Sequence, residues 1–237
     1  MTPRESPAEV AFLGTPLPSA DSPWRDVDFT VIDFETTGLN SSADEIISFA
    51  TVTVSSGRVT LADAQYELVR PDRMPSPDTI RIHGLREADL TDAPPLGDVL
   101  DRLLAALAGR ALVAHVASVE QGFLGAALTT RGLELPNPWV DTAAMDRERR
   151  RLRRLPPAAT DPVGLSDLAR SLGLPVHRPH HADGDALTTA QAFIALATHL
   201  DSIQRQTLAT LQQFSLQREQ KTSPLRGLLH RFGSRHD

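Results

Sequence analysis

Runs of apolar residues in the first third of the chain predict three consecutive β-strands. Phe29–Phe34, Glu45–Ser55 and Arg58–Val69 are rich in β-branched and aromatic residues, which favour the pleated surface of a sheet. The pair Ser56-Gly57 between the last two segments is typical of a tight turn. Short connections of this kind predict an antiparallel meander, because a parallel pair of strands needs a longer crossover.

Helical periodicity dominates the rest of the chain, and two short apolar strands interrupt it. Leucines recur on one face of the segment 96–107, as an amphipathic helix requires. The predicted helices are Asp78–His83, Leu96–Leu107, Val119–Leu128, Thr142–Leu155, Leu165–Leu172 and Gly184–Leu200. The predicted strands are Ala111–Ala114 and Trp139–Asp141. Three hairpin-linked strands followed by strands that alternate with helices predict an α/β fold, a mixed sheet flanked by helices.

The sequence predicts one domain with a tail at each end. Residues 1–24 are rich in Pro, Ser and Ala and have no lasting periodicity, so we expect a disordered or loosely docked arm. The predicted domain spans residues 25–201. Residues 202–237 begin helically and end in a basic sequence with scattered apolar residues, and we expect a C-terminal tail that docks a partner.

Charge and composition narrow the possible functions. The net charge of -6 argues against a protein that coats duplex nucleic acid through a broad basic surface, but it permits one that grips a single strand end. The chain has no cysteine, which excludes disulfides and thiolate metal sites. It has no apolar run of membrane-spanning length, and Val10–Leu13 is too short for a secretory signal. We therefore expect a cytoplasmic location and no membrane association.

Two acidic side chains interrupt the apolar sequence at the end of the first predicted strand. Asp33 and Glu35 are two residues apart, so both point to the same face of a strand. Burying an unpaired carboxylate is costly, and such groups are normally paired or bound to a metal. We therefore expect a divalent cation here, and carboxylate ligands favour Mg²⁺ or Mn²⁺. The alternative is a strand end whose acids simply reach solvent.

Two further segments place polar groups beside predicted helices. Glu120 lies just inside the helix that follows the fourth predicted strand, where α/β sheets present functional groups, although a solvated first-turn acid gives the same pattern. Asp185 begins another helix, and His180 precedes it by five residues. Histidine is the usual proton acceptor near neutral pH, and His181 competes for that role. Asp183 is an alternative helix cap, which would leave Asp185 an ordinary first-turn acid.

Four motifs together resemble the DnaQ-like DEDD exonucleases in their order and spacing. They are D-F-E-T-T-G at Asp33–Gly38, I-H-G-L at Ile82–Leu85, H-x-A-x-x-E-x-x-F-L at His115–Leu124 and H-x-A-x-x-D-A at His180–Ala186. The histidine five residues before the last aspartate is similar to the DEDDh branch of that family. The resemblance implies an RNase H-like fold, in which three antiparallel strands precede parallel strands. It also implies the removal of nucleotides from 3′ ends.

The same resemblance implies roles for individual residues. Two ions, Mg²⁺ or Mn²⁺, would be held by four carboxylates: Asp33, Glu35, Glu120 and Asp185. His180 would be the general base. The chain departs from the family at three positions, one of which is Val119, where phenylalanine is usual and only apolar packing is kept. Glu120 stands where aspartate is usual, so its carboxylate reaches further by one methylene, and Val116 stands where asparagine is frequent.

Residues near the first two motifs are expected to contact the substrate. A backbone N–H, or the hydroxyl of Thr36 or Thr37, would hold the terminal nucleotide, and Gly38 would permit close approach of the backbone. By analogy His83 lies near that pocket, although a structural hydrogen bond is its alternative role.

The predicted helix Thr142–Leu155 carries six arginines between positions 147 and 154. Arg147 and Arg150 are candidates for contacts with the nucleic acid backbone. The alternative is a solvated face whose arginines pair with Asp146 and Glu148.

The expected function is therefore a metal-dependent 3′–5′ exonuclease that releases nucleoside 5′-monophosphates. Its substrate would be the 3′ end of single-stranded DNA or RNA, with DNA proofreading or repair the favoured setting. An exoribonuclease that trims RNA 3′ ends stays open, as does a catalytically weakened adaptor that binds strand ends or a polymerase. A DNA polymerase or replication partner would bind the C-terminal tail.

Overall fold

The computed structural model describes the backbone of residues 6–222 and the side chains of residues 6–216. Its sheet has five strands: β1 (Phe29–Thr36), β2 (Ile46–Ser55), β3 (Arg58–Leu68), β4 (Ala111–Ala114) and β5 (Trp139–Asp141). They lie in the order β3-β2-β1-β4-β5. The first three strands are antiparallel, whereas β4 runs parallel to β1 and β5 runs parallel to β4. The predicted mixed sheet, three antiparallel strands followed by parallel ones, is confirmed.

Helices flank both faces of this sheet. In chain order they are α1 (Pro7–Gly14), α2 (Pro77–His83), α3 (Glu87–Leu90), α4 (Leu96–Leu107), α5 (Ser118–Thr129), α6 (Thr142–Arg153), α7 (Leu165–Ser171), α8 (Ala182–Asp201) and α9 (Leu208–Thr222). The six helices predicted after the meander are confirmed, with ends that differ by no more than two residues. Helix α6 ends before the predicted Leu155 because Arg154 adopts the left-handed conformation, at φ 52°.

The central strand β1 divides the core into two halves because its side chains alternate between faces. Phe29 and Val31 lie on the face covered by α8, where the rings of Phe29 and Phe193 are 4.7 Å apart. Ile32 and Phe34 lie on the opposite face with α4 and α5. Asp33 and Glu35 continue the odd-numbered series, so they share the face of α8.

The N-terminal segment contains a helix that its composition did not predict. Ser6 and Glu9 form a capping box at the start of α1, and α1 packs against α4 with Phe12 buried. Further along, Trp24 is buried, and its ring lies 5.9 Å from that of Phe193. The helix is only two turns long, which leaves too few apolar positions to form a recognisable period. The boundaries of the arm, domain and tail stay predictions.

After α8 the chain returns to the sheet and covers its exposed edge. Helix α9 packs against β5, and the Asp141 N–H donates to Ser215 Oγ at 3.0 Å. Strand β5 lies at the edge of the sheet and has no partner strand on its outer side, so this bond gives one of its N–H groups an acceptor. The basic sequence 223–237 lies outside the described residues. Within the part described, no helix has the length and apolar character needed to cross a membrane.

Candidate active site

Three carboxylates meet at the end of β1, on the face covered by α8. Asp33 and Glu35 project from the strand, and Asp185 comes from the first turn of α8. One oxygen atom of each group lies within 4.8 Å of an oxygen of the other two. The strand alternation and the helix start therefore bring together two neighbouring acids and a third that lies about 150 residues further along the sequence.

Local backbone geometry fixes the position of Asp185. The His180 N–H donates to Asp185 Oδ2 at 2.9 Å, and His180 itself adopts the left-handed conformation, at φ 60°. Gly184 lets α8 start close to the preceding loop, since a Cβ there would lie 2.3 Å from the carbonyl oxygen of His177. Burial raises the pKa of Asp185, although the His180 N–H and the nearby histidine rings oppose that shift.

Glu120 approaches the cluster from the first turn of α5 and is almost completely buried, with 6% of its surface exposed. Its Oε2 has no hydrogen-bond partner among the described residues. It lies outside the group of three close oxygens, but it is near enough that its charge raises the pKa of Asp33. A buried carboxylate oxygen without a donor is destabilising unless a cation binds it.

Burial and mutual repulsion raise the pKa values of these acids. Burial raises the pKa of Asp33 well above its ordinary value, and the charges of Glu120 and the other two acids raise it further. Burial raises the pKa of Glu35 to about 7, with a contribution from the charge of Asp185. Burial also raises the pKa of Glu120 to about 8, and the charges of Asp141 and Glu35 contribute. Without a cation these acids therefore retain protons near neutral pH, because their surroundings do not compensate for the negative charge of the ionised groups.

These four carboxyl groups fit a site for hard divalent cations. In the part of the chain that the structure describes, no basic side chain forms a salt bridge with any of them. Oxygen ligands with excess negative charge are the donor set that Mg²⁺ and Mn²⁺ favour. A bound cation would also reverse the electrostatic cause of the raised pKa values.

The histidines of the fourth motif lie beside this cluster. His180 is exposed and His181 is half-buried as the residue that precedes α8. The charges of both rings influence Asp185, so both lie close to it. The assignment of the general base to His180 stays a prediction, with His181 as its competitor.

The turn after β1 uses its polar side chains internally. Thr36 Oγ1 donates to the carbonyl oxygen of Gly38 at 2.5 Å, and Thr37 Oγ1 accepts the N–H of Glu45 at 3.0 Å. A Cβ on Gly38 would lie 2.4 Å from the carboxylate of Asp44, so the turn leaves no room for a side chain at this position. Contacts of Thr36, Thr37 and Gly38 with the terminal nucleotide stay predictions.

His83 ends α2 and is buried. Its Nδ1 accepts the N–H of Leu85 at 3.0 Å, which is the structural hydrogen bond considered as the alternative role. Its Nε2 is buried without a hydrogen-bond partner among the described residues. Burial lowers the pKa of His83, with a contribution from His181, so the two rings are near each other. A substrate contact by His83 stays a prediction.

Three arginines of α6 pair with acids on the same helix, the arrangement considered as the alternative to backbone contacts, whereas Arg147 pairs with Asp161 in the loop that follows. Buried Asp146 accepts from Arg149 at 2.6 Å and from Arg150 at 2.6 Å. Glu148 forms a two-point pair with Arg151. Contact of Arg147 and Arg150 with nucleic acid stays a prediction. For Arg150 the structure shows an ion pair with Asp146 instead.

Sequence reasoning missed two groups near the acids. Asp141 ends β5 and is buried, and its charge contributes to the raised pKa of Glu120. Tyr66, on β3, has a pKa raised by burial and by the charge of Asp183, with a smaller effect from Glu35. The sequence contained a signal for Asp141, because this acid stands at the end of a short apolar strand, and Glu120 likewise comes soon after one. The sequence contained no such signal for Tyr66, because the position of its side chain near the acids depends on how β3 pairs with β2.

Comparison with known proteins places these residues within one family. The family model RNase_T, described as an exonuclease, matches residues 30–193, which include all four acids and His180. The chain is 32% identical over 186 residues to DNA polymerase III PolC-type of Thermotoga maritima, covering 78% of this chain and 13% of that protein. It is 31% identical over 174 residues to DNA polymerase III subunit epsilon of Treponema pallidum, covering 73% of this chain and 78% of that protein. The matched segment thus spans a small part of the PolC-type relative but most of the epsilon subunit.

Solved structures show the same fold. A structure of exonuclease X in complex with 5′ overhanging duplex DNA has 28% sequence identity and a TM-score of 0.60, covering 78% of this chain and 99% of that one. A structure of E. coli exonuclease I in complex with a dT13 oligonucleotide has 16% identity and a TM-score of 0.66, covering 75% of this chain and 42% of that one. The second likeness concerns the fold alone.

Proposed function

The chain belongs to the exonuclease family whose model matches residues 30–193, and from this premise we propose that it is a 3′–5′ exonuclease. Its substrate is the 3′ end of single-stranded nucleic acid, and its product is a nucleoside 5′-monophosphate. The observation that carries the proposal is the convergence of Asp33, Glu35 and Asp185, with oxygens within 4.8 Å, beside buried Glu120.

The carboxylates hold two divalent cations, Mg²⁺ or Mn²⁺. Asp33, Glu35 and Asp185 form the closest set, and Glu120 adds a buried oxygen that has no other partner in the described part of the chain. Such cations, when bound, neutralise phosphate charge and lower the pKa of water. The unusual glutamate at position 120 suits this arrangement, because its longer side chain extends from the helix α5 toward Asp33.

His180 removes the proton from the attacking water. Its exposed position beside Asp185 lets the ring reach both solvent and the acids, and its N–H anchors the loop on Asp185 Oδ2. A histidine titrates near neutral pH and can accept a proton there. The turn of Thr36 and Thr37 lies at the end of β1, where a terminal nucleotide would sit beside Asp33 and Glu35.

We propose DNA rather than RNA as the substrate, because the names of several similar proteins refer to DNA. Relatives are named as DNA polymerase III components, and exonuclease X is described with duplex DNA that has a 5′ overhang. A DNA polymerase is accordingly the proposed partner, with the tail 202–237 as its contact and the cytoplasm as the location. Co-purification of polymerase with the full chain, and its loss on removal of residues 223–237, would support this partner.

Product analysis tests the activity. Matched DNA and RNA oligonucleotides with a 5′ label, incubated with Mg²⁺ or Mn²⁺, should shorten one nucleotide at a time, DNA faster than RNA. Asp33→Ala should abolish the shortening. Faster loss of RNA would support the trimming alternative, and strand-end binding without turnover, unaffected by chelator, would support the adaptor.

A further inference from the structure

A cavity of about 310 Å³ lies between α6 and the loop 155–163. On the helix side it is lined by Ala143, Arg147 and Arg150, which share one helix face because they are three or four residues apart. On the loop side it is lined by Pro157 and by leucine, alanine and valine side chains. Asp146 on the helix side and Asp161 on the loop side also line the cavity, so its helix wall is mainly cationic and its loop wall mainly apolar, with one acid in each. The volume is in the range of small-ligand pockets.

The cationic wall has a rigid part. Arg150 donates through Nε to Asp146 at 2.6 Å and through Nη1 to the carbonyl oxygen of Pro156 at 3.0 Å. Arg149 donates to the same buried carboxylate. Two guanidinium groups thus surround one acid, so the positive charge exceeds the negative charge at this point of the helix.

Arg147 is held differently from Arg150. Its ion pair with Asp161 measures 3.2 Å, and the side chains are 40% and 77% exposed. Exposed pairs of this kind contribute little to stability, so the carboxylate of Asp161 is replaceable. A phosphate is a suitable replacement, since a guanidinium can bind two of its oxygens at once.

The surrounding charge is positive in an otherwise acidic protein. The segment 146–161 contains six arginines and three acids, a formal charge of +3, while the whole chain carries -6. The same segment also contains apolar residues, and all of its positive charges belong to arginine. This combination suits a ligand that has both a phosphate and a flat, weakly polar ring, because guanidinium groups also stack on rings.

One end of the cavity, at Ala143, is connected to the acidic cluster through Asp141. The Ala143 N–H donates to Asp141 Oδ1 at 2.9 Å, and the charge of Asp141 reaches Glu120. From Ala143 the cavity follows α6 for two turns to Arg150, about 10 Å along the helix axis. A strand whose 3′ end lies at the acids would meet this cavity as it leaves them.

We propose that this cavity binds a nucleotide of the single strand behind the 3′-terminal one. A phosphate takes the place of Asp161 on Arg147, and a base lies between Arg150 and the apolar wall at Pro157. The inference rests on the proposed exonuclease function, because it assigns the path of that substrate. Asp161 then competes with the strand for Arg147.

Binding to single-stranded DNA tests the cavity independently of turnover. Fluorescence anisotropy of the full chain with a 5′-labelled eight-nucleotide DNA, with chelator present, compares wild type with Arg147→Gln, Asp161→Asn and the control Arg170→Gln. Arg170 also pairs with an exposed acid, Asp167, at 3.0 Å, but it lies on α7 away from the cavity lining.

Arg147→Gln should weaken binding by about tenfold, the typical effect of one charge-assisted contact. The slope of log affinity against log salt should fall by about 0.7 for one lost phosphate contact. Asp161→Asn should tighten binding, because the competing acid is gone, and Arg170→Gln should leave it unchanged. The proposal would be overturned if wild type and both cavity variants bound the DNA with equal affinity, or if none of them bound it measurably. It would also be overturned if Asp161→Asn weakened binding.

A small substrate separates this inference from the function on which it rests. The p-nitrophenyl ester of thymidine 5′-monophosphate occupies only the terminal position, so with Mn²⁺ the loss of kcat/KM caused by Arg147→Gln should be smaller on this ester than on the eight-nucleotide DNA. Arg170→Gln, whose residue is outside the cavity lining, should hydrolyse both substrates at the wild-type rate. The same variant should show a raised KM and an unchanged kcat on the eight-nucleotide DNA. Absence of wild-type hydrolysis of both substrates would reject the exonuclease function, whereas equal losses on both substrates would reject the cavity alone.

Discussion

The N–H of Val116 donates a hydrogen bond to Asp141 Oδ1 at 3.0 Å and so ties the end of β4 to the end of β5. The same oxygen accepts the N–H of Ala143 at the start of α6. Val116 adopts the left-handed conformation, at φ 61°, which is strained for a β-branched residue. Asp141 thus holds a strained turn in place, and that turn leads into the helix that presents Glu120.

Val116→Asn should stabilise the protein. Asparagine tolerates left-handed backbone, whereas the conformation costs an ordinary residue about 1–2 kcal/mol. Val116 is only partly buried, so little packing is lost. Thermal unfolding should shift upward by about 2–4 °C if 1 kcal/mol is regained in a domain of this size. Val119→Asn is the control. Val119 packs against the core at the start of α5, so this substitution should lower the unfolding temperature. A drop for Val116→Asn would show that the side chain matters more than the backbone.

The outline of the fold could be predicted because it depends on local pattern. The alternation along β1 was enough to place Asp33 and Glu35 on one face, and the turn after β2 was enough to define the meander. The order of the motifs along the chain could be read directly, but the distances between their side chains could not. Whether Glu120 approaches Asp33 depends on the crossing of α5 over the sheet, which no local pattern determines.

Other features could not be predicted because they depend on contacts between distant residues. The position of Tyr66 near Asp183 follows from strand register and the start of α8. The pairing of Arg150 with Asp146 was one of two alternatives left open, but the burial of Asp146 depends on how α6 packs and could not be predicted. The helix around Phe12 forms in a segment whose composition favours disorder, because packing on α4 compensates for a weak local preference.

Glu120→Gln should lower kcat far more than Glu148→Gln. The first change removes a charge from the buried cluster, and the loss of a cation ligand is expected to reduce turnover by at least about 100-fold. The second removes the same charge from an acid that pairs with Arg151 on the surface of α6. Turnover of a labelled DNA oligonucleotide at saturating Mg²⁺ measures both. Equal and small effects would mean that Glu120 is not part of the reactive centre.

His180→Ala should reduce turnover by about 10²–10⁴-fold, the usual contribution of a general base. The fold should be intact, because the side chain is exposed and the bond to Asp185 comes from the backbone N–H. Circular dichroism and thermal unfolding verify the fold, and His181→Ala is the matched comparison. If His181→Ala is the more damaging change, the proton acceptor is the neighbouring residue.

The protein without metal should become less stable as pH rises. Glu35 and Glu120 have pKa values of about 7 and about 8 in the folded state, above the ordinary 4.5. Between about pH 4.5 and 8 the folded state therefore retains protons that the unfolded state has lost. The free energy of unfolding then falls through this window and stays low above it.

Urea denaturation in the presence of chelator measures whether the free energy of unfolding falls as pH rises. Glu120→Gln should be more stable than wild type at pH 8, because the amide has no charge to bury, and the two should have similar stability at pH 4.5. Added Mg²⁺ should stabilise wild type more than Glu120→Gln at pH 8. No gain for Glu120→Gln at pH 8 would contradict the raised pKa of this carboxyl group.

The most direct test is the fate of the 3′-terminal nucleotide of single-stranded DNA. With a radioactive 3′-terminal nucleotide and Mg²⁺ or Mn²⁺, wild type should release the label as the mononucleotide in its first turnover, and chelator should stop the release. Asp33→Asn, which alters the acid at the centre of the cluster, should release none. Label released in longer fragments, release that continues in chelator, or full activity of Asp33→Asn would contradict a reaction at these carboxylates.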